Sequence, residues 1–458
     1  MFDPLPPDET PAHRTALECL EAGIRAAHPS AVIDDTVSLE GTTLRIADET
    51  YALDEVDRLL VLGGGKAAGE MARTLEAILL PALGDGRIGC LEGDVVASAR
   101  SETTAIDVHV GDHPTPTQRN VEAANTVLER AGDTTADDLV LVVLSGGASA
   151  LLCAPPPDIP LEALASLTDE LLAAGAAIGE INAVRKHCSA IKGGHLARVL
   201  EPATHVTLAI SDVVGDDPSV IGSGPTVGDE TTYGDAVAVL ERYDIEPPPA
   251  IETHLERGLE GSREETPDSD SLTSPWHCLA TTRTALEAAK DEALERGYDV
   301  CILSSRIRGE ARTVGDVHAA IAAECVQEGD PIASPAVFLS GGEVTVTVDG
   351  PTTGTGGPNQ ELALAAALEL RSLAHSDCTA VLASADTDGI DGPTHACGGI
   401  VDTDTVDGDK TARRVRNALN RHDSTTLLEE LDALLETTTG YTGTNVNDLR
   451  VMVVQPTD

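Results

Sequence analysis

Aromatic side chains make up 2% of this 458-residue chain, and lysine is scarcer still, at five residues. A core without rings has to be built from Ala, Val, Leu and Ile, the side chains of buried parallel strands and closely packed helices. Hydrophobic content of 41% is enough for that, and the length exceeds what one core usually serves, so two domains are expected. Positive charge is short overall. Thirty basic residues face 77 acidic ones, a formal net charge of −47, which repels nucleic acid and anionic membranes and excludes both as expected partners. The acids are spread along the chain rather than gathered in a tail, so they describe a folded surface. Such a surface resembles that of proteins from salt-loving organisms, where ions screen the self-repulsion. Against this background each lysine carries information. Lys66, Lys186 and Lys192 sit in motifs, whereas Lys290 and Lys410 read as incidental.

Other absences narrow the chemistry. The nine cysteines include no Cys-x-x-Cys pair, which excludes a recognisable zinc or thioredoxin-like site and gives no disulfide framework. Free thiols in a reducing cytoplasm are the simplest expectation. No signal peptide and no apolar run of membrane-spanning length is visible, so a soluble, cytoplasmic protein is expected. A Walker A loop is missing because Lys66 is followed by Ala67 rather than Ser or Thr. Residues 1–12 are rich in Pro and Asp and read as frayed. Residues 246–275 hold three consecutive prolines and many polar residues, so they read as a linker. The expected division is 1–248, a linker at 249–275, and 276–458.

What is present is a strand–helix rhythm with glycines where strands stop. Residues 59–72, LLVLGGGKAAGEMA, read as a buried strand, three glycines, Lys66 and a helix N-terminus. Backbone N–H groups and a positive dipole end would meet there, an anion site in physical terms. Residues 139–144, LVLVVL, read as a strand covered on both faces and stop at SGGAS, 145–149. Function in open parallel sheets gathers at such carboxyl ends. They are 63–66, 145–149, 211–216, 340–343 and 386–391, with a seven-residue Gly/Thr/Pro loop at 350–356. The stretch 182–194 places Arg185, Lys186, His187 and Lys192 together, and on one continuous helix Arg185, Ser189 and Lys192 would share a face. The loop from Asp386 to Gly392 carries three carboxylates. It fails as an EF-hand, since Ile390 displaces a ligand and no Glu follows, and better fits Mg²⁺ held through water and phosphates. His113, between Asp112 and Pro114, either touches substrate or orders its turn.

Taken in order, these pieces resemble the glycerate 2-kinase family, the two-domain type with a MOFRL-like C-terminal part. The matching runs are GGGKAAG (63–69), GDHPTP (111–116), LSGGASAL (144–151), NAVRKHCSAIKGGHL (182–196) and SDVVGDDPSVIGSGPTVG (211–228). The second half adds GGEVT (341–345), GTGGPNQE (354–361), DTDGIDGP (386–393) and TGTNVNDL (442–449). The resemblance implies ATP- and Mg²⁺-dependent phosphorylation of D-glycerate at its 2-hydroxyl, giving 2-phosphoglycerate. It also implies two Rossmann-like α/β domains, αβα sandwiches with mainly parallel sheets and a cleft between them. Lys66, Arg185, Lys186 and Lys192 become candidate partners for phosphates and the glycerate carboxylate, and Asp212 the carboxylate that orients or deprotonates the hydroxyl. Gly64, Gly65, Ser145, Gly146, Gly147, Gly341, Gly342, Glu343, Asn359 and Glu361 become candidate nucleotide contacts, and Asp386 and Asp388 the Mg²⁺ ligands. One departure stands out. Pro358 occupies a position where the family usually has Arg, so either another residue, Arg306 or Arg308, replaces it or substrate handling differs.

Two other classes compete. An NAD(P)H-dependent hydroxypyruvate reductase would also use glycine turns after strands, but no Gly-x-Gly-x-x-Gly opens a βαβ unit with an acidic residue at the ribose distance. A non-catalytic sugar-acid or nucleotide sensor would not need so many charged groups at strand ends. The phosphoryl donor, the hydroxyl attacked and homo-oligomerisation stay open.

Overall fold

A computed structural model describes all residues except 3–9, 87–88, 349, 351–353 and 458. Parts of the frayed segment and of the 350–356 loop therefore lie outside the described residues. The chain divides into two compact units, Pro29–Leu279 and a second made of Met1–His28 with Ala280–Asp458.

The unit Pro29–Leu279 begins with a small antiparallel sheet, β1 (Val37–Glu40), β2 (Thr43–Ile46) and β3 (Glu49–Ala52). Its main sheet contains β4 (Arg58–Gly64), β5 (Leu91–Ala97), β6 (Ile106–Val110), β7 (Asp138–Ser145), β8 (Thr204–Ile210) and β9 (Trp276–Ala280), in the order β6-β5-β4-β7-β8-β9. The pairings from β6 through β8 are all parallel. Every residue of β7 is buried, as its unalternated apolar run requires. The strand order reverses between β4 and β7, and a ligand crevice forms at the carboxyl ends of strands flanking such a switch.

The second unit carries a mixed sheet: β10 (Asp299–Glu310), β11 (Ala336–Thr345), β12 (Cys378–Asp386), β13 (Gly398–Asp402), β14 (Leu434–Leu435) and β15 (Asp448–Pro456), ordered β10-β11-β15-β12-β13-β14. Among the described residues only β10 and β11 pair in parallel there. The last strand β15 is inserted antiparallel between β11 and β12. The α/β class with mainly parallel strands is met, and parallel pairing is concentrated in Pro29–Leu279. The helix Pro358–Leu370 covers one face through Leu362, Leu364 and Ala366, packed with Phe338, Leu382 and Met452.

Three expectations are corrected. Residues 1–28 do not belong with the first half, because the helix Pro11–Ala26 packs on Thr282–Glu295. A Cβ at Gly23 would lie 2.8 Å from the Ala285 carbonyl oxygen and 2.6 Å from Leu449 Cδ2. Residues 249–275 are not a linker: helix Pro249–Leu259 buries Ile251 and Leu255 among Leu167, Ile181 and Leu240, and Thr266 is buried against Asp229. The boundary falls instead at the end of β9, before its last residue, between 279 and 280. The cationic stretch 182–200 is not one helix either. Ile178–His187 ends there, Gly193 and Gly194 take positive φ, and a new helix starts at His195. No helix among the described residues is long and apolar enough to cross a membrane.

Candidate active site

The switch between β4 and β7 brings two glycine turns together with different outcomes. After β4, Gly63 and Gly65 take φ of 131° and 143°, and a Cβ on either would collide with β7, at the Val143 carbonyl and at Ser145. This close approach uses up the turn's donors. Gly65 N–H binds the Val96 oxygen (2.9 Å), Lys66 N–H the Gly146 oxygen (2.7 Å) and Ala67 N–H Ser145 Oγ (2.9 Å). The expected backbone anion cradle at Gly64 and Gly65 is therefore closed by the protein itself, and what this turn offers a ligand is the Lys66 side chain.

After β7 the arrangement is open. Gly147 takes φ of 79°, and among the described residues nothing accepts a hydrogen bond from the N–H groups of Gly147, Ala148 or Ser149. Side chains converge on this turn. A Cβ on Gly146 would collide with the Asp212 carboxylate, and one on Gly147 would sit 3.1 Å from both Lys66 Cγ and His113 Cδ2. Lys192 is buried and holds the turn from behind, donating to the Ser149 and Leu152 oxygens at 2.7 and 3.0 Å. Burial lowers its pKa to about 8. Beside it opens a cavity of 350 Å³ lined by His113, Gly147, Ser149, Cys153, Arg185 and Lys192, with the helix Leu161–Ala173 as its apolar wall. The Arg185 guanidinium has no hydrogen-bonded or ion-paired partner among the described residues, and burial lowers its pKa. A half-buried cation with no counter-charge, facing a cavity, favours an anionic guest. Lys186 is corrected: its Nζ is bound to Asp229 at 3.0 Å, both side chains buried, so it ties the helix Ile178–His187 to the loop that follows β8.

In the second unit the candidates fall differently. Gly341 and Gly342 are not in a loop but inside β11, opposite Leu449 and Asp448, where a Cβ would collide with Thr282 and with the Ile307 carbonyl. Their amides belong to the sheet, so the expectation that they face a nucleotide is overturned. Glu343, the next residue, is exposed. Asn359 is buried and links three groups: its Nδ2 donates to Asp448 Oδ1 (2.6 Å) and Asp391 Oδ1 (3.3 Å), and its Oδ1 accepts from Ser384 Oγ (2.5 Å). Glu361 is buried against Arg312 (2.5 Å) and His422 (3.1 Å), an internal ion pair rather than a ligand contact. Pro358 opens the helix above them, and Arg306 and Arg308 are exposed on β10.

Sequence reasoning missed the polar centre of this unit. Asp391 fills the N-terminus of helix Pro358–Leu370, accepting from Asn359 N–H (3.1 Å) and Gln360 N–H (2.9 Å), while burial raises its pKa to about 7. Asp448 accepts from Val344 N–H (3.1 Å) and pairs with fully buried Arg450, whose Nε and Nη1 have no partner among the described residues. Burial raises the Asp448 pKa against the pull of Arg450. The one available signal was Asp448 and Arg450 two apart on a strand, hence on one face. In the loop 386–392, Asp388 N–H bonds to Asp386 Oδ1 (3.0 Å) and Ile390 N–H to Asp388 Oδ1 (2.9 Å), which shapes the turn. Among the described residues no three His, Cys, Asp or Glu side chains surround a common point as a closed metal cage would need. Two carboxylates on a glycine turn nonetheless fit Mg²⁺ in kind, since that ion keeps water and phosphate as its remaining ligands.

Residues 15–256 match the model of a domain of unknown function, DUF4147, and residues 336–448 match the MOFRL family. The chain is 38% identical over 454 residues, 96% of each chain, to the glycerate 2-kinase of Pyrococcus horikoshii. It is 40% identical over 398 residues, 87% of each chain, to a putative hydroxypyruvate reductase of Agrobacterium vitis. The crystal structure of a glycerate kinase from Thermotoga maritima superposes with a TM-score of 0.80 at 34% identity, covering 96% of this chain and 99% of that one.

Proposed function

The chain belongs to the glycerate 2-kinase family that joins a DUF4147 domain to a MOFRL domain, and from that premise we propose that it transfers a phosphoryl group from ATP to the 2-hydroxyl of D-glycerate. The observation that carries this reading is the convergence of Lys66, Asp212 and unbonded amides on Gly146-Gly147, beside a cavity holding an uncompensated Arg185. Phosphoryl transfer asks a protein for positioning and charge neutralisation, and these are the groups present. Arg185 binds the glycerate carboxylate. Lys192 acts on it less directly, since its ammonium already holds the Ser149 and Leu152 carbonyls. Asp212 orients the hydroxyl and takes its proton. Lys66 and the amides of 147–149 face the transferring phosphoryl oxygens, where charge builds in the transition state. Asp386 and Asp388 are the residues we assign to Mg²⁺, which when bound neutralises charge on the nucleotide's phosphates.

The reductase reading draws support from the name of the Agrobacterium relative. Against it, the amides of Gly65, Lys66 and Ala67 are bonded within the protein, so the β4 turn offers no cradle to a dinucleotide pyrophosphate. One pair of assays separates the two readings. Purified protein given D-glycerate, ATP and Mg²⁺ should release ADP, and ³¹P NMR should identify 2-phosphoglycerate. The same protein given hydroxypyruvate should leave NADH and NADPH absorbance unchanged. Nicotinamide oxidation without ADP release would overturn the kinase reading.

A further inference from the structure

Behind the turn that follows β7 lies a second turn with an unusual backbone. Gly222, Ser223 and Gly224 take φ of 59°, 63° and 64°, three left-handed residues in a row. They approach the β7 turn closely, since a Cβ on Gly222 would sit 3.0 Å from Ala148 Cβ. Serine bears a steric cost in this conformation that glycine escapes, so its presence points to what the hydroxyl touches. Ser223 is fully buried, and its Oγ lies 2.8 Å from Ser149 Oγ and 3.2 Å from Asn182 Oδ1. These two contacts order the protons. An amide oxygen only accepts, so Ser223 O–H donates to Asn182 Oδ1, and Ser223 Oγ accepts from Ser149 O–H. Ser149, on the wall of the 350 Å³ cavity, therefore turns its proton inward and keeps its Oγ lone pairs for a guest. Its position is fixed from both sides, because Lys192 Nζ holds its carbonyl and Gly193 N–H holds the Ser223 carbonyl at 3.0 Å.

We propose that Ser149 Oγ accepts a hydrogen bond from the 3-hydroxyl of the acid substrate, and that Ser223 is the positioning residue that keeps it an acceptor. The assignment rests on the kinase reading above, in which Arg185 takes the carboxylate and Asp212 the 2-hydroxyl. The 3-hydroxyl is the polar group of D-glycerate still without a partner. Arg185, Lys192 and the amides of 147–149 are donors, which suit anionic oxygens, whereas a hydroxyl that enters among them needs an acceptor for its own proton. A 2-hydroxy acid ending in a methyl group would leave Ser149 Oγ unmet, so the site selects 2,3-dihydroxy acids.

Calorimetric titration of the full chain with D-glycerate and with D-lactate, which carries methyl in place of the hydroxymethyl group, tests this. The wild type should bind D-glycerate about tenfold more tightly, the worth of one hydrogen bond. In Ser149→Ala the two dissociation constants should converge to within about twofold. Ser223→Gly relieves the left-handed backbone, so its thermal midpoint should hold or rise while its preference for D-glycerate falls toward that of Ser149→Ala. The ratio of two ligands within one variant cancels any loss of folded protein, so a merely structural role would not move it. A wild type without the preference, or a tenfold preference that survives Ser149→Ala, would overturn the proposal, and a preference that survives Ser223→Gly would overturn the role of Ser223. ADP release from D-glycerate and ATP is scored separately. Its absence beside an intact Ser149-dependent preference would sink the kinase reading alone, and its presence with a preference untouched by Ser149→Ala would sink this assignment alone.

Discussion

The run Leu-Ser-Gly-Gly occurs twice, at 144–147 and at 339–342, and the two copies serve opposite ends. In β7 the strand stops at Ser145, whose hydroxyl is taken by Ala67 N–H, and the glycines beyond it are left for a ligand. In β11 the strand continues to Thr345, Ser340 bonds His318 Nε2 at 2.7 Å, and the glycines are locked between β10 and β15. The difference lies in the neighbours. β7 has parallel partners that end where it ends, so its last residues emerge into a crevice. β11 has antiparallel β15 beside it, whose first residue Asp448 pairs with Gly342 and carries the ladder past the glycines. Among the described residues the first unit keeps the Arg185 guanidinium and the amides of 147–149 without partners, whereas the second ties Asn359, Asp391 and Glu361 into internal bonds. Unmet donors favour binding, whereas met ones favour rigidity.

That contrast breaks most sharply at Lys66. Lys66→Ala should lower turnover by about 10²–10³, roughly 3–4 kcal/mol of transition-state stabilisation, with an unchanged thermal midpoint. Full activity in this variant would remove the β4 turn from the mechanism. Next come the paired glycines. Gly341→Ala should destabilise the fold by about 1–3 kcal/mol through overpacking against Thr282, read by urea unfolding. Gly146→Ala should instead displace Asp212 and depress turnover more than stability. Equal effects in both assays would erase the distinction. Asn359→Ala should cost about 1–3 kcal/mol, because Asp391 and Asp448 each lose a donor in a buried site.

The smallest effects are pH profiles. Burial pushes the Asp391 carboxyl up to about 7 in the folded protein, above the usual aspartate value of 3.8, so between those values the native state holds a proton the unfolded chain has released. Stability should therefore be greatest below the unfolded value and decline as pH rises through about 7. A chemical-denaturation series over that range checks it, and a curve that rises would contradict the burial of this group. In the other unit, loss of the Lys192 charge above about pH 8 should raise the KM for glycerate, and Lys192→Arg should flatten that rise.

Much of this was legible in the residues. The apolar run of β7 and the glycine turns declared the first unit's sheet, and Lys66 and Arg185 marked where its candidate site would be sought, because parallel strands put chemistry at their ends. The second unit was harder to read. Its strands are as apolar as parallel ones, so nothing in 336–345 announces that β15, more than 100 residues later, will pair antiparallel and bury Gly341. Lys186 looked like Lys192 because spacing cannot reveal that Asp229 waits 43 residues on. The misplaced boundary has the same origin. Prolines at 247–249 signal a break, yet the helix they open carries Ile251 and Leu255 into the core.

The helix Pro11–Ala26, described above as part of the second unit, has a consequence for how the chain is made. It is made before Pro29–Leu279, but its partners, Thr282–Glu295 and β15, come after the whole of that segment. That intervening segment is contiguous and can close its own sheet during synthesis, whereas the other unit has to hold its first helix unpaired until the last strand arrives. The slowest contacts to form are thus those between this helix and the segment beyond 279, and an amphipathic helix with a buried face waits exposed while Pro29–Leu279 is made.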